Sequence, residues 1–201
     1  MKKVKSNMRD FKFDKRASVY DTHIEGRLSE KAYHLVTDNI KINSDDKVLD
    51  VGCGTGTVLK RLNDICNIKG FGIDIEEKMV EQAKSKLPQM DIQKCDCSNT
   101  SFENEMFDSV IACMTFHHFY DQMAFAKEMS RVLKKGGKLY IVDPKLPNLL
   151  RKIVNTILIS HSIAGKFNTN QEVSSIFKPY GLVNCEERKS GIFQLIILKK
   201  V

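Results

Sequence analysis

Residues 48–56 read VLDVGCGTG, a short apolar run that leads directly into three glycines. The apolar run predicts a strand, and residues 58–66 then show the apolar spacing of a helix. Glycines between a strand and a helix let the backbone approach a ligand closely, and the start of the helix presents free N–H groups. We therefore expect a nucleotide-like ligand at this edge of a sheet. A purely structural tight turn is the alternative.

The glycine spacing narrows the class of ligand. It is GxGxG, and Thr57 stands where a dinucleotide fingerprint requires its third glycine. A nicotinamide oxidoreductase is therefore disfavoured.

Strands and helices then alternate along the chain, which predicts a parallel sheet with helices on both faces. The predicted strands are 47–51, 70–74, 91–95, 107–114 and 138–142. The predicted helices are 28–40, 58–66, 77–87 and 121–133. A cap at or before Ser29 is expected for the first helix. For the last helix, we expect a basic last turn and a glycine stop at Lys134-Lys135-Gly136-Gly137.

The C-terminal part departs from this alternation. Helices are expected over 149–163 and 171–177, followed by strands over 182–186 and 192–198. The short link between these two strands suits a hairpin rather than a parallel crossover. We therefore predict an α/β fold: a doubly wound, mostly parallel seven-stranded sheet with an antiparallel last strand.

Acidic residues follow the second and third strands. Asp74 comes 18 residues after Gly56, where a carboxylate can accept hydrogen bonds from two ribose hydroxyls, and Asp96 follows the third strand. A lone acid at a strand end is more often a turn cap. A glycine loop and two acids at successive strand ends favour a binding site instead.

Four stretches in this order resemble the motifs of class I S-adenosylmethionine-dependent methyltransferases, in particular the branch of the quinone-biosynthesis C-methyltransferases. They are VLDVGCGTGTVL, GFGIDIEEKMVEQAKSK, CDCSNTSFENEMFDSVIACMTFHHF and VLKKGGKLYIVD. The similarity covers roughly residues 10–200. It implies a Rossmann-like methyltransferase fold, S-adenosylmethionine as cofactor and S-adenosylhomocysteine as product.

The resemblance also implies a role for individual residues in binding the cofactor. It assigns the methionine end to Asp50, Gly52, Gly54, Thr55 and Cys113, the ribose to Asp74, and the adenine to Ile75, Asp96 and the backbone N–H of Cys97. Residues 13–21 are similar to the family's entry segment, in which Tyr20 would cover the cofactor. An ordinary packing role is the alternative for Tyr20.

Methyl transfer requires alignment of the acceptor more than it requires a dedicated base. His117 and His118 follow the fourth strand, and we take His118 as the candidate proton acceptor because the family often has a histidine there. The alternative is that Phe116 and Phe119 pack the helix start while both histidines make local hydrogen bonds.

The methyl acceptor should be bound by the segments outside the common core. We expect one domain over 1–201, with a basic arm and cofactor-covering segment at 1–27 and an apolar insert at 144–167 that is either a lid or a helix packed on the sheet. A lid of this composition favours a small, apolar or aromatic acceptor.

Charge suggests further alternatives. The net charge is +7, and residues 1–16 carry +5 of it, which leaves an RNA methyltransferase guided by the arm as one alternative. A non-catalytic S-adenosylmethionine-binding protein is the other.

The six cysteines are scattered without a CxxC pair, so we expect free thiols and no metal site. With no long uncharged stretch and no apolar leader, a cytoplasmic location is expected, and the oligomeric state stays open.

Overall fold

Seven strands form a single sheet in the computed structural model, which describes residues 24–160 and 165–201. The strands are β1 (Lys47–Val51), β2 (Lys69–Asp74), β3 (Asp91–Lys94), β4 (Phe107–Cys113), β5 (Leu133–Pro144), β6 (Leu182–Ser190) and β7 (Phe193–Lys200). Their order across the sheet is β3-β2-β1-β4-β5-β7-β6, and β7 runs antiparallel to both of its neighbours. The predicted fold class is confirmed.

Six α-helices of the described residues connect and cover these strands. They are α1 (Ile24–Thr37), α2 (Thr57–Ile65), α3 (Glu77–Lys86), α4 (Gln122–Val132), α5 (Asn148–Ser160) and α6 (Asn170–Phe177), with short 3₁₀ turns at Phe116–His118 and Lys178–Tyr180. The cap expected at Ser29 is wrong, because α1 begins before it and Ser29 is a buried residue inside the helix. No described helix is long and apolar enough to cross a membrane.

The glycine stop expected after α4 is also wrong. The helix ends at Val132 and β5 begins at once, so Gly136 and Gly137 lie within the strand. Pairing with β4 jumps from Phe107↔Leu133 to Ser109↔Lys138, which marks a bulge. A Cβ at Gly137 would lie 2.9 Å from the Asp108 carbonyl oxygen, so these glycines serve the bulge rather than a helix end.

Two apolar clusters form the core, one on each face of the sheet. The cluster on the face covered by α1, α2 and α3 contains Tyr140 and Val142 of β5, and the cluster on the face covered by α4 and α6 contains Leu139 and Ile141. This alternation is the period of two expected for a strand buried on both faces. It keeps the sheet rigid beneath the loops at its carboxyl edge.

Phe177 of α6 is fully buried in the second cluster. Its ring lies 5.7 Å from that of Phe116 and 5.9 Å from that of Phe125 of α4, measured between centroids. It therefore joins α6 to α4 and to the 3₁₀ turn after β4.

Replacing Phe177 with alanine should lower the free energy of unfolding by about 3–5 kcal/mol, because it leaves a cavity among aromatic rings. Denaturant titration measures this difference. The control is Tyr120→Ala, which removes a side chain that is 87% exposed and should change stability by less than about 0.5 kcal/mol. Equal effects of the two substitutions would contradict the packing described here.

Candidate active site

Five neighbouring parallel strands place polar groups at one edge of the sheet. In spatial order, the groups at or just after the strand ends are Asp96 (β3), Asp74 (β2), Asp50 (β1), Cys113 (β4) and Asp143 (β5). Because the strands are parallel, their carboxyl ends meet at the same edge, which is where ligands bind in open α/β sheets. The sequence analysis identified all of these residues except Asp143.

The glycine loop after β1 is tied to the end of β2. The Gly52 N–H donates to the Ile73 carbonyl oxygen at 2.7 Å, and the Gly54 N–H donates to Asp74 Oδ2 at 2.8 Å. Gly52 has φ +69°, and a Cβ there would lie 2.1 Å from Thr115 Oγ1. A Cβ at Gly54 would meet nothing within 4 Å. The loop is therefore packed at Gly52 and faces open space at Gly54.

Asp50 carries a buried carboxyl group beside this loop. Its side chain is 2% exposed, and Oδ2 has no hydrogen-bond partner in the described part of the chain. Burial, with a smaller contribution from the nearby Asp74 carboxylate, raises the pKa of Asp50 to about 7. A buried acid of this kind is completed by a ligand that brings a positive charge or hydrogen-bond donors.

Asp74 has a structural task that the sequence analysis did not foresee. Besides holding Gly54, it accepts the Glu76 N–H at Oδ1, 3.0 Å away. The ribose role that the resemblance implies for Asp74 therefore falls on a carboxylate that also fixes the glycine loop. The next residue, Ile75, is 58% exposed and offers an apolar surface beside that carboxylate.

The residues expected at the adenine end form a turn after β3. Asp96 is exposed, and its Oδ1 accepts both the N–H and the hydroxyl of Ser98, at 2.8 and 2.7 Å. Burial raises the pKa of Cys97 to about 12, with smaller contributions from Asp96 and Asp74. The thiol is thus neutral. The Cys95 N–H donates to the Asp74 carbonyl oxygen at 2.9 Å, so the two strand ends lie next to each other.

The residues expected at the methionine end lie deeper. Cys113 is buried, and its pKa is raised far above the ordinary thiol value by burial and then by Asp50 and Asp143. Thr55 is also buried, and the Lys86 ammonium donates to its hydroxyl at 3.2 Å. Tyr20 lies outside the described residues.

Asp143 belongs to a pair that the sequence analysis did not identify. His117 Nδ1 lies 2.8 Å from Asp143 Oδ1, and both side chains are nearly buried. The Phe167 ring stacks on the imidazole at 4.8 Å between centroids and 18° between planes. His118, the histidine chosen from the sequence, has an exposed side chain whose ring lies 4.0 Å from that of His117. In the sequence, Asp143 directly follows the fifth predicted strand, and an acid at that strand end was the signal that could have identified this pair.

Amide side chains hold the segment that carries Phe167. Asn155 of α5 makes two hydrogen bonds of 3.0 Å with the Phe167 backbone, one to the carbonyl oxygen and one from the N–H. Gln194, directly opposite Asp143 in the β5–β7 ladder, donates to the Asn168 carbonyl oxygen at 2.9 Å. The Gln194 Oε1 and Asn168 Oδ1 atoms are buried without a partner in the described ranges. Two buried hydrogen-bond acceptors therefore lie in this segment and on the neighbouring strand.

A cavity of about 450 Å³ lies between α1, α2 and α3. Its charged groups are largely paired with each other, since Arg61 bonds Glu30 at 2.7 Å and Lys60 bonds Asp64 at 2.6 Å. This pairing gives it little capacity to bind a charged ligand.

The residues at the sheet edge fit the cofactor that the resemblance implies. S-adenosylmethionine carries a positively charged amino group and a sulfonium, which match the orphaned Asp50 carboxyl group. Its adenine matches the exposed Ile75 surface, and the open space at Gly54 admits it.

Replacing Asp50 with asparagine removes the buried ionisable group while preserving its shape. Because the folded state holds the pKa at about 7, above the ordinary 3.8, ionisation destabilises the ligand-free fold as pH rises through this range. We expect the variant to melt a few degrees above the parent at about pH 8 and to gain far less at about pH 4. Thermal melts across this pH range measure the difference.

The matched control is Asp38→Asn, because Asp38 is exposed at the end of α1. Its melting temperature should follow that of the parent at every pH. If the gain in melting temperature for Asp50→Asn does not change with pH, the fold does not raise the pKa of Asp50, and the prediction is contradicted.

Comparisons with known proteins identify relatives of this chain. A family model described as a methyltransferase domain matches residues 49–141. The chain is 29% identical over 180 residues to a ubiquinone/menaquinone biosynthesis C-methyltransferase of Wigglesworthia glossinidia brevipalpis, covering 75% of this chain and 72% of the relative. It is 31% identical over 144 residues to an uncharacterized methyltransferase of Anoxybacillus flavithermus, covering 68% and 67%.

Among solved structures, a chain in the complex of the Haloferax volcanii methyltransferase activator Trm112 with a methyltransferase has the same fold. The TM-score is 0.81 at 20% identity, covering 94% of this chain and 97% of the other. The fold and the relatives together show that this chain belongs to the class I S-adenosylmethionine-dependent methyltransferases.

Proposed function

We propose that this methyltransferase acts on a small, apolar or aromatic acceptor whose methylated atom first loses a proton. The observation that carries the proposal is the nearly buried His117–Asp143 pair, whose carboxylate is close enough to Cys113 to influence its pKa. Phe167 supplies an aromatic surface over the pair. The relative named for ubiquinone and menaquinone biosynthesis supports an acceptor of this chemical class.

S-adenosylmethionine is the cofactor, and when bound it supplies an electrophilic methyl group and leaves as S-adenosylhomocysteine. Asp50 would hold its amino group, Asp74 its ribose, and Ile75 with Asp96 its adenine. These roles follow from the motif positions and from the burial and hydrogen bonding described above. The glycine loop would contribute the open surface at Gly54.

His117 is the better proton acceptor of the two histidines. Asp143 accepts from Nδ1, which keeps the proton of the neutral imidazole on that atom and leaves the lone pair on Nε2. Nε2 can then take the proton from the acceptor as the acceptor's electron pair forms the new bond to carbon. The Asp143 carboxylate stabilises the resulting imidazolium, as in other carboxylate–histidine pairs. His118 is the alternative.

Ligand-induced stabilisation tests the cofactor assignment on the full chain. At a hundred times its dissociation constant, a ligand of the folded state adds about 2.7 kcal/mol, or several degrees in melting temperature. S-adenosylmethionine and S-adenosylhomocysteine should produce this shift, NAD should not, and Asp50→Asn should weaken it. A shift with NAD alone would overturn the assignment of the site.

An acceptor screen tests the reaction class. Formation of S-adenosylhomocysteine is followed with naphthohydroquinones, catechols and transfer RNA as acceptors. We expect turnover with the hydroquinones or catechols. Turnover with RNA alone would favour an RNA methyltransferase, and none with any acceptor would favour a protein that only binds the cofactor.

The acceptor identified in this way then tests the histidine pair. His117→Gln and Asp143→Asn should each lower kcat by about 10²–10⁴-fold, because a positioned proton acceptor contributes that much. The thermal shift with S-adenosylhomocysteine should stay at the parental value. His118→Gln is the matched control and should retain most activity. A large loss in His118→Gln with parental turnover in His117→Gln would transfer the role to His118.

A further inference from the structure

Helix α5 displays its apolar side chains to solvent. Leu149 is 74% exposed, and Leu150, Ile153 and Ile157 are each about half exposed. At about 100° per residue, these four positions fall within one arc of roughly 100° along the helix. Ile192 lies in the β6–β7 turn, and its side chain is also exposed. Its carbonyl oxygen accepts the N–H of Lys145, which precedes α5. An apolar stripe of this kind indicates an interaction surface.

The side of α5 that faces the protein carries paired polar groups beside the partly buried Val154 and Leu158. The Arg151 side chain is 12% exposed and pairs with Glu172 of α6 at 2.8 Å. Asn155 is buried and makes the two hydrogen bonds to Phe167. The helix thus differs from an ordinary surface helix, because its widest apolar stripe is not the side that it buries. Hydrogen bonds and an ion pair fix it to the body of the protein, and its apolar side is left exposed.

Positive charge borders the stripe. Residues 144–171 contain no Asp or Glu but include Lys145, Arg151, Lys152 and Lys166. Lys152 is exposed beside the stripe, and Lys189 of β6 lies against Lys145 closely enough to lower the pKa of Lys145. Glu187 is the nearby acid, and the amides of Asn170 and Asn184 hydrogen-bond its carboxylate.

We propose that this face of α5, here called the α5 surface (Leu149, Leu150, Ile153, Ile157 with Lys145, Lys152 and Lys189), docks on an anionic lipid bilayer. Leucine and isoleucine enter the boundary between headgroups and acyl chains, and the three lysines bind the anionic headgroups. An interfacial helix requires this combination of an apolar stripe and a basic border.

Other occupants fit the charge less well. A second copy would bring the same lysines close to each other, and one face of a 13-residue helix offers far less than the roughly 800 Å² per partner of a stable dimer. The N-terminal residues 1–16 carry a net charge of +5 and would be repelled by the same border. An anionic surface attracts both basic regions.

Sedimentation with lipid vesicles tests the proposal on the full chain without any methyl acceptor. The vesicles are phosphatidylcholine alone, and phosphatidylcholine with about a third phosphatidylglycerol to provide the anionic charge. We expect binding to the anionic vesicles and little to the neutral ones. Leu149→Ser with Ile153→Ser should weaken binding by about tenfold or more, since the two side chains no longer bury apolar area.

The basic border is tested separately. The triple variant Lys145→Gln, Lys152→Gln, Lys189→Gln should lose roughly fivefold in affinity per lysine. A triple variant of equal net charge, Lys84→Gln, Lys127→Gln, Lys135→Gln, changes exposed lysines on α3, α4 and the opposite end of β5, and it should bind like the parent. Ile65→Ser is the matched apolar control, because Ile65 is 66% exposed on α2.

Three outcomes would overturn the proposal. The first is equal binding of the parent to neutral and anionic vesicles, or no binding to either. The second is anionic binding that survives the α5 substitutions, which would assign it to another basic region such as residues 1–16. The third is a dimer in solution that the α5 substitutions dissociate, which would make a second copy the occupant. Thermal shifts with S-adenosylhomocysteine report the cofactor site independently in every variant.

Discussion

Three hydrogen bonds between the glycine loop and the end of β2 determine the shape of the candidate site. The N–H groups of Gly52 and Cys53 both donate to the Ile73 carbonyl oxygen, and the Gly54 N–H donates to the Asp74 carboxylate. Because the loop cannot move away from β2, the Asp50 carboxyl group below it stays buried and Gly54 stays against open space. The acid that we propose for ribose binding is thus also the group that fixes the loop, so a substitution of Asp74 would affect both.

Electrostatics at this edge follow from the same geometry. Parallel strands bring Asp50, Asp74 and Asp143 to one edge, and burial prevents water from screening them. Negative charge therefore accumulates where a cationic cofactor would bind. Asp143 differs from Asp50 and Asp74, because its carboxylate is paired with the imidazole of His117. The edge thus has one end with an unpartnered buried acid, proposed to bind the cationic cofactor, and another end with a paired acid, proposed for proton transfer.

Much of the fold followed from local sequence signals, because β-branched runs, glycine loops and helical apolar spacing each correspond to one kind of element. The errors arose where one signal serves two structures. Gly136 and Gly137 after a basic residue pair indicate a helix stop, yet here they form a strand bulge that pairing with β4 dictates. The prediction of His118 as the proton acceptor remains a prediction. The contact that leads us to propose His117 instead joins it to Asp143, 26 positions away, and no local signal points to it. Helical spacing likewise revealed the stripe on α5 but not that it faces solvent.

The orphaned carboxyl group of Asp50 has a consequence for the heat of cofactor binding. With a pKa of about 7, the group is protonated in about half of the ligand-free molecules at neutral pH. A cation placed beside it favours the ionised form, so binding near pH 7 expels a fraction of a proton into the buffer. The enthalpy measured by calorimetry then depends on the ionisation enthalpy of the buffer, and it differs between phosphate and Tris solutions of the same pH.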